Sequence, residues 1–186
     1  MIFAAIAIYK SQQDQQDQQY QQDLQDQPQD NQESTAETIM TTINNTATSW
    51  LGLWTPPAKY SGDISAAESR YNLPTNILAR LLYQESRYRE DIITGRTTSP
   101  VGALGIAQFM PATARDMGID PLNTAQAIDA AGRYLASLYR QTGTWAQALA
   151  AYNWGIGNVQ RKGLSRAPTE TRNYYTQIMN DVGLTA

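Results

Sequence analysis

Residues 11 to 33 (SQQDQQDQQYQQDLQDQPQDNQE) repeat a Gln-Gln-Asp unit every three positions and offer almost no side chain for a core to bury. Such a segment cannot offset the entropy of ordering its own backbone, so it is expected to be disordered or at most weakly helical. Whatever folds in this chain must fold without it. The 186 residues leave room for one modest domain plus an appendage, not for two domains with separate cores. The expected division is an appendage over 1–58 and a compact domain over 59–186.

The appendage has two further parts. Met1 to Tyr9 is apolar but, at about 1.5 Å per helical residue, far shorter than a bilayer core roughly 30 Å thick, so it does not span. Lys10 follows the apolar run instead of preceding it, which is the wrong order for a secretory signal. It reads as a docking segment, as the remnant of a longer apolar stretch, or equally as a few disordered residues. From Ser34 to Trp54, Ile39, Ile43, Ala47, Trp50 and Trp54 recur at near-helical spacing, a short amphipathic helix that Pro56-Pro57 ends.

There is no histidine and no cysteine. That removes zinc sites of the usual ligand type, Cys or Ser/His nucleophile pairs and disulfide staples, so chemistry has to run on carboxylates, hydroxyls, amides, Lys or Arg. No metal and no cofactor is expected. Charge is split along the chain: before Lys59 one base faces seven acids, and from Lys59 onward thirteen bases face ten acids, net +3. A mildly cationic domain suits an anionic polymer such as bacterial cell wall, although solvated Arg faces are the commoner explanation of such a balance.

From Tyr60 onward the apolar residues recur at helical spacing. Ile64, Ala67 and Tyr71 mark a first helix, stopped by Asn72-Leu73-Pro74. Pro74 is expected to open a second, whose stripe runs through Leu78, Leu81 and Leu82 and closes on Glu85. A short helix is expected from Pro111 to Met117. A long one is capped by Asn123 or Thr124, carries Ile128, Ala131, Leu135 and Leu138 on one face, and stops before Gly143. Trp145–Tyr152 and Thr169–Val182 complete the set. No alternating apolar runs bounded by turns occur, so the fold class is mainly α, with room for a very small β-hairpin near residues 92 to 107.

Glu85 has no basic partner at helical spacing and stands on the apolar stripe, where loss of water disfavours a bare charge; that is a setting for a general acid. The plainer reading places its head group in water at a fraying helix end. Glycoside cleavage usually needs two carboxylates, yet the helical neighbours of Glu85 are Leu81, Leu82, Tyr88 and Arg89. Glu90 and Asp91 should point away, and Glu170 is the best distant candidate. If no second acid folds back, the substrate has to supply the missing group, as an acetamido oxygen does in substrate-assisted enzymes. Downstream, Gly102 to Pro111 combines two glycines with the donor and acceptor amide of Gln108, and Ala151-Tyr152-Asn153 ends an Ala-rich helix before Gly155. Taken singly, each of these is as readily a tight turn, a helix cap or a core aromatic.

Together these segments resemble the soluble lytic murein transglycosylases, the goose-lysozyme-like family. The resemblance rests on Gln84-Glu85-Ser86, on Ser99 through Ala114, on Ala151-Tyr152-Asn153-Trp154-Gly155 and on Glu170-Thr171-Arg172-Asn173-Tyr174, and covers roughly Tyr60 to the C-terminus. It implies a lysozyme-like helical domain with Glu85 as the sole catalytic acid and later base. Ser86, Gln108, Met110, Tyr152 and Asn153 match positions that line the glycan groove, and Tyr174 matches an aromatic near the acid. It implies cleavage of the β-1,4 bond between N-acetylmuramic acid and N-acetylglucosamine, closing a 1,6-anhydro ring. Amides and hydroxyls suit acetamido and hydroxyl groups, and aromatic and Met faces suit sugar rings.

Three departures from the family pattern stand out. The stretch between Glu85 and Gly102, with Thr94-Gly95-Arg96-Thr97-Thr98 inside it, is longer than usual; Arg89-Glu90 stands where an Asn-Pro pair is common; and Ile156 replaces a frequent Pro. The expected partner is peptidoglycan, with virion or envelope proteins held through the N-terminal region, and no nucleic acid. The expected place of action is the periplasm or wall, reached from a phage particle or an envelope machine. Two rivals remain open: a goose-type hydrolase in which Glu170 positions water, and a non-catalytic glycan-binding module.

Overall fold

A computed structural model describes residues 55–184. The expectations for the apolar tip, the Gln/Asp tract and the helix over 34–54 fall outside the described residues. Among the described residues there are helices and turns and no strand: α1 (Ala58–Arg70), α2 (Ile77–Ser86), α3 (Glu90–Ile93), α4 (Pro111–Asp116), α5 (Thr124–Thr142), α6 (Trp145–Trp154), α7 (Ile156–Lys162), a 3-10 turn (Leu164–Arg166) and α8 (Thr169–Asp181). The fold is mainly α. No described helix is long and apolar enough to cross a membrane.

The core follows from which helices are apolar on one side and which are apolar all round. α1 buries Tyr60, Ile64 and Ala67 at spacings of four and three, and α5 buries Ala127, Ile128, Ala131, Leu135 and Leu138 on one face. Each lays a single stripe on the core. α6 is different. Ala146, Ala148, Leu149, Ala150, Ala151 and Trp154 are all buried, and the helix packs against α5, α7 and α8. A helix whose only amides are Gln147 and Asn153 belongs in the middle, and its alanines let three neighbours come close. α2 fills the remaining side, packed between α1, α5 and α8, with Ile77, Leu78, Leu81 and Leu82 at 0% exposure.

Two helix ends behave as their residues require. Asn123 caps α5, its side chain accepting from Gln126 N at 3.1 Å, and Gly143 ends it in the left-handed region at φ +83. The start of α2 does not. Pro74 does not open the helix; the chain turns at Asn76 (φ +67) and α2 begins at Ile77. The carboxylate of Glu68, from the last turns of α1, occupies the first backbone donors instead, accepting from Asn76 N and Leu78 N at 3.0 Å and Ala79 N at 3.4 Å. Glu68 is 7% exposed. Burial raises its pKa, and the three N–H bonds oppose that rise.

The hairpin expected near 92 to 107 reduces to one antiparallel bridge, Leu104 with Phe109. Its two backbone bonds are 3.0 and 3.1 Å, and residues 105–108 form the turn between them. Ile92 and Ile93 belong to α3 and are buried. Gly105 has to be glycine: its φ is +71, and a Cβ there would lie 1.9 Å from the carbonyl oxygen of Pro121.

Candidate active site

Glu85 lies in the last turn of α2, half-buried. Its Oε1 accepts a 2.7 Å hydrogen bond from the Tyr174 hydroxyl of α8. That contact is one rung of an antiparallel ladder between the two helices. Arg80 of α2 pairs with Asp181 near the end of α8, Gln84 Nε2 donates to Gln177 Oε1 at 2.8 Å one turn earlier in α8, and Glu85 meets Tyr174 about one turn before that. The register of α2 on α8 thus fixes one oxygen of the carboxyl, and with it the plane of the group.

After Glu85 the helix stops abruptly. Arg87 and Tyr88 both adopt left-handed backbone, at φ +52 and +55, a costly conformation for residues with side chains. Ser86 holds this turn: it is fully buried, its Oγ donates to Leu82 O at 3.0 Å and accepts from Tyr88 N at 3.2 Å. The glycan contact that the resemblance implies for Ser86 is therefore not offered by the free site; the side chain is spent on ending α2 one residue past the acid. Tyr88 is held by a 2.8 Å bond from its hydroxyl to Ala79 O and by stacking on Tyr60 at 5.5 Å.

α6 brings the third segment. The Tyr152 hydroxyl donates to Ala107 O at 3.1 Å, fastening the turn between Leu104 and Phe109 to the end of α6, and the Tyr152 ring packs on Tyr134 (5.4 Å) and Phe109 (6.3 Å). Burial first, and then the nearby charge of Glu85, push the hydroxyl pKa values of both Tyr152 and Tyr174 well above normal. Both phenols keep their protons across the physiological range and present donors. Asn153, half-buried, accepts at Oδ1 from the Thr171 hydroxyl at 2.8 Å. With Oδ1 oriented by Thr171, Asn153 has left for a ligand the donor pair on Nδ2 and one further lone pair on Oδ1.

Gln108 sits on the turn at φ +49, with Nε2 donating to Gly105 O at 2.9 Å, which leaves the acceptor Oε1 and the second N–H of the amide. Met110 is half-buried just ahead of α4 and is tied to the cluster only through the backbone of the bridge. The acids near Glu85 in sequence turn away, as their spacing requires. Glu90 accepts from Lys59 Nζ at 2.6 Å and from the Tyr60 hydroxyl at 2.8 Å, and Asp91 receives the Arg89 guanidinium at 2.8 and 3.2 Å. Glu90 therefore ties α3 to α1. Glu170 stands one helical turn before Tyr174 on α8, on the same side of the helix.

Two partners in this cluster escaped the sequence reading. Thr171 is 2% exposed and lies inside the Glu170–Tyr174 segment, but nothing local indicates that its hydroxyl fixes an amide on another helix. Tyr134, on α5, reads as one more aromatic of an amphipathic stripe.

Residues 63–175 match the family model described as the Transglycosylase SLT domain. The chain is 30% identical over 122 residues to "Transglycosylase" of Enterobacteria phage PRD1, covering 65% of this chain and 42% of that protein. It is 32% identical over 111 residues to "Membrane-bound lytic murein transglycosylase F" of Saccharophagus degradans, covering 55% and 21%. Against "Peptidoglycan transglycosylase gp16" of Escherichia phage T7 it is 30% identical over 141 residues, covering 67% of this chain and 10% of that protein. The aligned part is thus less than half of each of these relatives.

Proposed function

The chain belongs to the Transglycosylase SLT domain family, and from that premise we propose that it is a peptidoglycan lytic transglycosylase with Glu85 as its catalytic acid and base. One contact carries this conclusion: the 2.7 Å bond between Tyr174 and Glu85, which joins the first and last of the four family segments across 89 positions. In the proposed reaction Glu85 protonates the oxygen between N-acetylmuramic acid and N-acetylglucosamine, and the muramyl acetamido oxygen assists at the anomeric carbon. Glu85 then takes the proton of the C6 hydroxyl as that oxygen closes the 1,6-anhydro ring. Proton and leaving group balance without water.

The surrounding groups support these steps. Tyr174 keeps the carboxyl in one plane during both proton transfers, and a positioned acid of this kind is worth about 10²- to 10⁴-fold in rate. Asn153 Nδ2 and Gln108 Oε1 are a donor and an acceptor suited to an acetamido group, and Tyr152 and Met110 offer faces to sugar rings. Glu170 keeps a second reading in view, hydrolysis, because it shares the Tyr174 side of α8. Digestion of purified sacculi with product masses separates the two. Anhydro ends from the wild type, lost in Glu85→Gln, support the transglycosylase; reducing ends that disappear in Glu170→Gln support the hydrolase; digestion unaltered in Glu85→Gln defeats both.

The proposed setting is the periplasm or the wall itself, where the domain opens the murein locally. Two of the relatives come from phages, which favours delivery with a phage particle over a resident envelope machine. The first 58 residues are proposed to hold the domain to virion or envelope proteins.

A further inference from the structure

From Ala130 to Thr169 the chain has five bases and not one acid. Elsewhere in the described domain four bases are paired with carboxylates: Arg70 with Asp129, Arg80 with Asp181, Arg89 with Asp91, Lys59 with Glu90. Arg161, Lys162 and Arg166 are exposed on α7 and the turn after it, and among the described residues no carboxylate forms an ion pair with them. Arg172 joins them, its Nη1 bonded to Ala167 O at 2.6 Å, beside Arg166. A solvated basic face is the common fate of such a run, but its position sets this one apart. The chain leaves the candidate site at Asn153 and returns to it at Thr171, and those two side chains are hydrogen-bonded at 2.8 Å. The segment from Asn153 to Thr171, with Arg161, Lys162 and Arg166, is therefore a loop closed at the Asn153 edge of the site, while Arg133 and Arg140 lie outside it on α5. Lys162 confirms the closeness: its Nζ lies 5.2 Å from the centre of the Trp154 ring, the residue after Asn153.

We infer that this basic loop binds the carboxylates of the peptide stems carried by the murein strand in the groove. The inference rests on the proposed reading of the site as a murein groove. Reach agrees with it. α7 advances about 10 Å over its seven residues, so the cationic groups lie within about 15 Å of Asn153. An extended stem of four or five residues spans about 13 to 18 Å from the sugar. Stems bear free carboxylates along their length and at their end, and three or four unmatched cations on one edge complement them. Exposed ion pairs of this kind are individually weak, so the effect has to come from several together and has to fade with salt.

The test uses the full chain with Glu85→Gln as a non-cleaving background, sedimented with purified sacculi and with the same sacculi stripped of their stems by an amidase, the lactyl carboxylates this frees being capped as amides. The companion protein adds Arg161→Gln, Lys162→Gln and Arg166→Gln, with a thermal melt to verify that it folds. The expected result is affinity for intact sacculi about five- to tenfold weaker in the companion at low salt, no difference on stripped glycan, and a gap that closes at high salt. Equal loss on both substrates, or loss on neither, overturns the inference. So does a companion that differs only in binding to vesicles containing anionic phosphatidylglycerol, which would assign the loop to a lipid surface. Because the readout is binding, a wild type that yields no anhydro product would defeat the proposed reaction while leaving this inference to stand or fall separately.

Discussion

Glu68 and Glu85 are carboxylates at opposite ends of α2, and they are treated in opposite ways. Glu68 comes from the neighbouring helix, is 7% exposed and accepts from three backbone N–H groups at the start of α2. Glu85 belongs to α2 itself, stays half-buried, and takes a side-chain hydroxyl from α8. Fixed backbone donors make a carboxylate into a strut. A phenol that stays protonated, placed by the packing of two helices, holds a carboxylate in position while leaving it accessible to a substrate.

The strongest way to break this comparison is to exchange the consequences. Glu85→Gln is expected to reduce formation of anhydro product by about 10²-fold or more with the melting temperature almost unchanged, since a half-buried amide keeps an acceptor for Tyr174. Glu68→Ala should do the reverse. Orphaning the donors at the start of α2 costs about 2 to 4 kcal/mol, lowering the melting temperature by roughly 10 °C with little loss of rate well below the transition. If Glu68→Ala melts like the wild type, the strut has been misread; if Glu85→Gln retains activity, the acid has.

Next in size is Tyr174→Phe. The ring stays in the core and the bond to Glu85 goes, so the expected loss is about ten- to a hundredfold in kcat, from a hydrogen bond to a charged group, with KM little altered. A rise in KM alone would mean that Tyr174 touches glycan and does not orient the acid. Thr171→Val should act on the other parameter. With no donor to hold Oδ1, Asn153 loses its set orientation and KM rises about three- to tenfold, while Thr171→Ser restores it. Failure of serine to rescue would show that the methyl packing, not the hydroxyl, is what matters at this position.

These predictions also mark where the sequence was transparent. The stripe ending at Glu85, the Asn123 cap and the Gly143 stop are local, because the periodicity and the chemistry of helix ends lie within a few residues. Glu68 as a strut was not visible, since its partners are eight to eleven residues away across a turn, and Pro74 supplied a plausible but wrong helix start. α7 was missed because Gly155-Ile156-Gly157-Asn158 reads as a loop. Burial of Val159 and the 2.8 Å bond from Asn158 Nδ2 to Trp154 O override that weak preference. The meeting of Glu85 with Tyr174, and of Asn153 with Thr171, depends on how helices distant in sequence pack. Only the family resemblance brought Tyr174 into view, and nothing brought in Thr171. Ser86 shows the limit of that resemblance, since the matching residue is buried as a helix stop.

The finest expected effect is on pH. Burial holds the Glu68 carboxyl in its protonated form to higher pH in the folded chain than in the unfolded one. Between the ordinary glutamate value and the raised one the folded state therefore binds more protons, and stability falls as pH rises through that window. Glu68→Gln removes the titrating group while keeping one acceptor for the N–H groups of α2. Its stability, measured by urea unfolding across the acidic range, should lose that component of the slope, so wild type and variant diverge as pH rises and run parallel above the window. A wild-type curve that rises relative to the variant over the same range would mean the three backbone donors outweigh burial. Glu68 would then be stabilised as an anion, and the two ends of α2 would differ in access alone.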